Sequence, residues 1–216
     1  MKNVNSINEL IKIFEEIVLE ESNLIRNGSI VAIKHVATGK YLSSIKKLWY
    51  TTGSKSQLIF VGSSEPVPNS LWKIEFGGEL ATYANNSIRL QHVKSERLLG
   101  IFYYSNCRDY YKSPSTNHTE VGCYNKNMDY NMLNWEFNHS KLKNHQGYLK
   151  SNDIINLNIT KSYVNDGQTK QVEFLRSHDI QFTIGNDTFQ EVVCHNKRLG
   201  GNDEWCIELI HEVNIF

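Results

Sequence analysis

No excess of charge of either sign marks this sequence: 23 Lys plus Arg stand against 23 Asp plus Glu. A chain that grips nucleic-acid phosphates usually carries a basic surplus, so that class of partner is disfavoured. Arg26, Lys34, Lys40, Lys46 and Lys47 lie close in sequence and read as a solvated face. No apolar run reaches the roughly 18 residues that a membrane-spanning helix needs. The N-terminal stretch INELIKIFEEIVLEES is broken by Glu9, Lys12, Glu15 and Glu16, unlike the continuous apolar segment of a signal peptide. The expected location is therefore cytoplasmic. Cys107, Cys123, Cys194 and Cys206 form no Cys-x-x-Cys pair and are expected as free thiols in that compartment.

The motifs of catalysis are missing as well. There is no Gly-x-Ser-x-Gly, no His-Glu-x-x-His and no phosphate-binding glycine loop, so no enzymatic activity and no cofactor are expected. Cys194, His195 and Cys206 come nearest to a zinc set. They lack a fourth ligand and the spacing of a metal motif, so no metal is expected. Proline is scarce too. Of three prolines, two fall in the single turn SSEPVPNS.

What is present begins with a helix. Ile7, Leu10, Ile11, Phe14, Ile17 and Val18 recur at helical spacing, and Ser6 followed by Glu9 suits a capping box. A lone helix this short is marginal in water, so its stripe is expected to pack on its own domain or on a partner. From Gly28 the pattern changes to short alternating strands separated by Gly, Asn, Asp and Ser clusters. VAIKHVATGKYL (Val31 to Leu42) matches IRLQHVKSERLL (Ile88 to Leu99) without a gap. A weaker third copy joins INLNITKS to VEFLRS across an insertion. Each copy closes on a tryptophan, Trp72, Trp135 and Trp205, and each carries a leucine at its second strand, Leu42, Leu99 and Leu175. These six are the expected core. Closing three four-stranded units on one another hides their edges and buries the shared positions. The expected fold is thus an all-β protein, a β-trefoil with one N-terminal amphipathic α-helix. Residues 1–26 form the helix and linker, and 27–216 form the trefoil, with repeats at about 28–77, 80–138 and 147–212.

His-Val-x-Thr-Gly-x-Tyr-Leu at His35–Leu42, Glu-Val at Glu120–Val121 and Glu191–Val192, and Trp-x-Ile-Glu at Trp72–Glu75 and Trp205–Glu208 together resemble the MIR domain. That β-trefoil module occurs in protein O-mannosyltransferases, inositol trisphosphate receptors and ryanodine receptors. The resemblance runs from residue 28 to about 212 and departs in the third copy, where Ile159 stands in place of histidine. The Gln-x-Trp of ricin-type trefoils is absent, since Ser70, Leu133 and Asp203 stand two residues before the tryptophans. The resemblance implies a non-catalytic module that scaffolds or regulates.

His35 and His92 occupy matching positions, which points to strand packing or a turn hydrogen bond. The more open candidate is IFYYSNCRDYYKSPSTNHT, where Tyr103, Tyr104, Tyr110 and Tyr111 crowd around Arg108. Tyrosines beside polar neighbours suit a protein interface or a sugar. Trp49 at the tip of the first repeat is a second candidate. The expected function is a protein-interaction or scaffolding module, with a carbohydrate-binding, lectin-like module as the alternative and an enzyme accessory domain less favoured. The expected partner is an unidentified protein or a glycan.

Overall fold

The computed structural model describes residues 6–104, 109–127, 132–162 and 170–210. Among the described residues, one α-helix, α1 (Ile7–Ser22), is followed by fourteen strands. The first repeat holds β1 (Ile30–His35), β2 (Leu42–Trp49), β3 (Gln57–Val61) and β4 (Leu71–Glu75). The second holds β5 (Ser87–His92), β6 (Leu98–Ile101), the short pair β7 (Tyr103–Tyr104) and β8 (Asp109–Tyr110), β9 (Thr119–Tyr124) and β10 (Trp135–His139). The third holds β11 (Asp153–Ser162), β12 (Lys170–Ile184), β13 (Asp187–His195) and β14 (Trp205–Leu209).

The first and last strands of each repeat form a closed barrel. Pairings run β1–β4, β4–β5, β5–β10, β10–β11, β11–β14 and β14–β1, all antiparallel. The register repeats three times: Val31 lies opposite Trp72, Ile88 opposite Trp135 and Ile155 opposite Trp205. Closure leaves no barrel edge open to another chain. The middle strands make hairpins that cap one end of the barrel, and β3, β9 and β13 pair with one another around the axis. This is a β-trefoil.

The repeated residues meet in one core. Trp72, Trp135, Trp205, Leu42, Leu99 and Leu175 are all fully buried in it. A buried indole N–H must find an acceptor, and the three solve this identically. Trp72 Nε1 donates to the Leu42 carbonyl at 2.9 Å, Trp135 to Leu99 at 3.0 Å and Trp205 to Leu175 at 3.0 Å. The pattern ties the last strand of each repeat to its own second strand, which is why both residue types recur together in the sequence.

A capped helix precedes the trefoil. Ser6 Oγ accepts from the Glu9 N–H at 3.2 Å, and the Asn23 amide closes the far end on the Leu19 carbonyl at 3.0 Å. No residue of α1 is buried. Within α1, Glu20 reaches the Lys150 ammonium at 3.8 Å, and just beyond the helix the Ile25 N–H bonds the Leu149 carbonyl at 3.1 Å and the Ser151 N–H bonds that of Asn23 at 2.8 Å. No helix is long and apolar enough to cross a membrane among the described residues.

Candidate functional site

Several conspicuous side chains serve the scaffold. His35 Nδ1 lies 2.9 Å from Thr38 Oγ1, and its Nε2 lies 3.0 Å from the Asn202 carbonyl. His92 repeats this with Ser95 at 2.8 Å and Asn69 at 3.2 Å. Both rings pack on barrel tryptophans, and burial lowers both pKa values. These histidines pin the turn after the first strand. His195 Nδ1 accepts from the Lys197 N–H at 3.1 Å, so Nε2 carries the proton and donates to Asp203 Oδ1 at 2.7 Å. Both nitrogens are thereby engaged. Burial raises the Cys194 and Cys206 thiols. No group of three or more His, Cys, Asp or Glu is placed to hold a metal among the described residues.

The tyrosine-rich segment does not form one exposed rim. Tyr110 is 5% exposed. Its hydroxyl lies against the Ser162 backbone, accepting from the N–H at 3.1 Å, and the Lys161 ammonium sits 4.9 Å from its ring centre. Tyr103 meets Tyr110 edge-on at 5.3 Å, and Tyr111 stacks on Phe102 at 5.7 Å. The physical reason lies in the third repeat, where Lys161 and Ser162 of β11 lie against Tyr110. Tyr104 is placed in β7 by its backbone. Arg108 lies outside the described residues. Trp49 is 38% exposed, with the Arg97 guanidinium 4.7 Å from its ring centre.

Beneath Tyr110 lies a feature that sequence reading did not single out. Lys161, 2% exposed, bonds Glu173 Oε1 at 2.8 Å across β11 and β12. Its neighbours Leu157 and Ile159 belong to the core, and alternation puts all three on one face. A charged residue at an inward strand position was the available signal. The pair borders a cleft of about 350 Å³ between the second and third repeats. Glu173 Oε2 and His118 Nδ1, both buried, have no hydrogen-bond partner among the described residues.

The same position differs in the other repeats. Two residues before the shared leucine stand Lys40, Arg97 and Glu173. Lys40 Nζ reaches Gln190 of the third repeat at 3.2 Å, and Arg97 covers Trp49 of the first. In the third repeat this surface cation has become a buried acid.

The second exposed feature is α1. Ile7, Leu10, Ile11, Phe14, Ile17, Val18 and Leu19 stand between 48% and 77% exposed. Exposed apolar residues in a continuous patch of this kind mark an interaction surface. The helix carries five glutamates, Glu9, Glu15, Glu16, Glu20 and Glu21, against Lys12 alone.

No family description and no curated protein matches the sequence. Solved structures do. The SDF2-like protein of Arabidopsis thaliana superposes with a TM-score of 0.66 at 20% identity, covering 85% of this chain and 94% of that one. A Caenorhabditis elegans protein of unknown function gives a TM-score of 0.66 at 17% identity over 88% of this chain and 98% of its own. The S. cerevisiae protein O-mannosyltransferase Pmt1–Pmt2 complex bound to the sugar donor gives 0.63 at 20% identity, over 86% of this chain but 26% of that one. At such identities the likeness speaks for fold. It shows a shared fold, which in this chain is the β-trefoil described above.

Proposed function

We propose that this chain is a non-catalytic protein-binding module whose docking element is α1. The observation that carries this is the exposed apolar stripe of α1, none of which is buried against the trefoil. An amphipathic helix of this length gains most of its stability from packing its apolar face, and helix-in-groove docking is a common way to provide that. The acidic bias of its polar side selects the occupant. Two copies of α1 side by side would bring like charges together, whereas an apolar groove rimmed by Lys and Arg would pair with them. The proposed partner is therefore a different protein presenting such a groove, with the trefoil as the rigid body that α1 tethers to it.

The test uses the full chain carrying a photo-crosslinker at position 14. The captured partner is then purified and titrated against wild type, Phe14→Glu and Leu10→Glu. Affinity is expected to fall about tenfold or more in each variant and to weaken as salt rises, with unchanged thermal unfolding because neither side chain is buried. Equal binding by the variants would overturn the proposal. So would a wild-type dimer that both variants dissolve, since the occupant would then be a second copy.

A further inference from the structure

The cleft beside Lys161 and Glu173 has no part in that reading, yet it is built like a ligand site. Burying an ion pair is a poor way to gain stability, because apolar residues of similar volume do as well or better. Among the described residues the first two repeats manage without a buried Lys–Glu pair. The third repeat extends its hairpin and buries both charges, and the carboxylate uses only half of its acceptor capacity. Glu173 Oε1 receives Lys161 at 2.8 Å, while Oε2 is left without a partner among the described residues. The Glu173 side chain is 6% exposed, and an unmet buried acceptor costs about 1–3 kcal/mol. His118 lines the same cleft, and its Nδ1 is likewise buried without a partner among the described residues.

We propose that this cleft binds an uncharged, hydroxyl-rich small molecule of the sugar or polyol class. The charges bordering the cleft are already balanced within it: Lys161 pairs with Glu173, and Lys112 pairs with Asp109 at 3.3 Å. An anion would meet two carboxylates and a cation two ammonium groups. The remaining lining includes Asn117, Thr119 and Asn196, which offer hydrogen bonds and little apolar surface. A hydroxyl both donates and accepts, so one molecule with several of them satisfies the Glu173 acceptor and the His118 ring together. Burial lowers the His118 pKa, so the ring presents one donor and one acceptor near neutrality. The volume lies at the lower end of small-molecule pockets and suits a single sugar ring.

The experiment titrates the full chain with D-mannose, D-galactose, N-acetyl-D-glucosamine, myo-inositol and inorganic phosphate, followed by saturation-transfer NMR and calorimetry. Two variants accompany wild type: the apolar replacement Lys161→Met with Glu173→Leu, and His118→Phe. At least one neutral probe is expected to bind at millimolar Kd or tighter, with an affinity unchanged between about 0.05 M and about 0.5 M salt. Each variant is expected to weaken it about tenfold. Should the double variant fail to fold, His118→Phe decides alone. Absence of binding by every neutral probe overturns the proposal, as does undiminished binding in His118→Phe. Binding of phosphate alone, lost at high salt, overturns it too.

Discussion

Glu120 of the second repeat and Glu191 of the third occupy one position of the trefoil. Leu58 holds it in the first, as the mutual pairing of β3, β9 and β13 requires. Glu120 reaches back to the turn before β3, where it accepts from Ser54 N–H at 3.2 Å and from the Ser54 hydroxyl. Gly53, at φ 62°, makes room, since a Cβ there would run into the carboxylate. Glu191 reaches the corresponding turn before β9, but with more partners: Ser115 N–H at 3.0 Å, Thr116 Oγ1 at 2.7 Å and His178 Nε2 at 3.2 Å. Burial pushes Glu120 up to about 7, and its serine donor does not offset this. Burial also acts on Glu191, yet His178, Thr116, Ser115 and Ser113 together outweigh it and hold that carboxyl below its usual range. Leu58 escapes the issue by packing with Tyr50, Phe60 and Phe189. Where the position is acidic, it is half-titrated or ionised according to how many donors the adjoining turn supplies.

The comparison breaks most severely if the first repeat is made like the others. Leu58→Glu removes a buried leucine and inserts an acid into an aromatic cluster, with an expected loss of about 4 kcal/mol in urea unfolding. A loss under about 1 kcal/mol would mean that the turn before β13 already offers donors. Next comes Glu191→Gln, which keeps the shape but halves the acceptors. About 3 kcal/mol should be lost at neutral pH, against little or nothing for Glu120→Gln. Equal losses would erase the distinction between the two carboxylates.

The smallest effect is in the pH dependence of Glu120. Its folded pKa lies above its unfolded one, so its contribution is full below about 4.5 and is lost as pH rises through about 7. His35 and His92, with lowered values, act oppositely, gaining stability as pH rises towards 6.5. The difference between wild type and Glu120→Gln removes their part. Relative to wild type, Glu120→Gln should gain about 2 kcal/mol between about pH 5 and about pH 8. A flat difference would show that Glu120 is ionised throughout.

Much of the fold was legible because a threefold architecture prints its core three times. The tryptophans, the leucines and the His-Val phrase each mark a position that must recur, and Ser6 with the apolar stripe marked α1. The cleft was not legible in that way. Tyr110 packs against Lys161 and Ser162 of the next repeat, and no local pattern reports a contact made by a distant strand. Lys161 and Glu173 do stand at inward strand positions, beside Ile159 and Leu175. That anomaly is visible only once the register is known, and the third repeat's insertion is what obscured it. For α1 the pattern gave the stripe but not its setting, since amphipathicity looks the same whether the covering surface belongs to this chain or another.

Because β1 lies between β4 and β14, with His35 beside Trp205, the opening strand of the barrel waits for the closing one before its second edge is filled. A growing chain on the ribosome can assemble hairpins early but cannot shut the ring until β14 has emerged. The arrangement also brings the two ends of the barrel sequence together in space, so the order of the repeats should be open to circular permutation. New ends could be cut at a hairpin tip and the old ones joined by a short linker, leaving the threefold body intact.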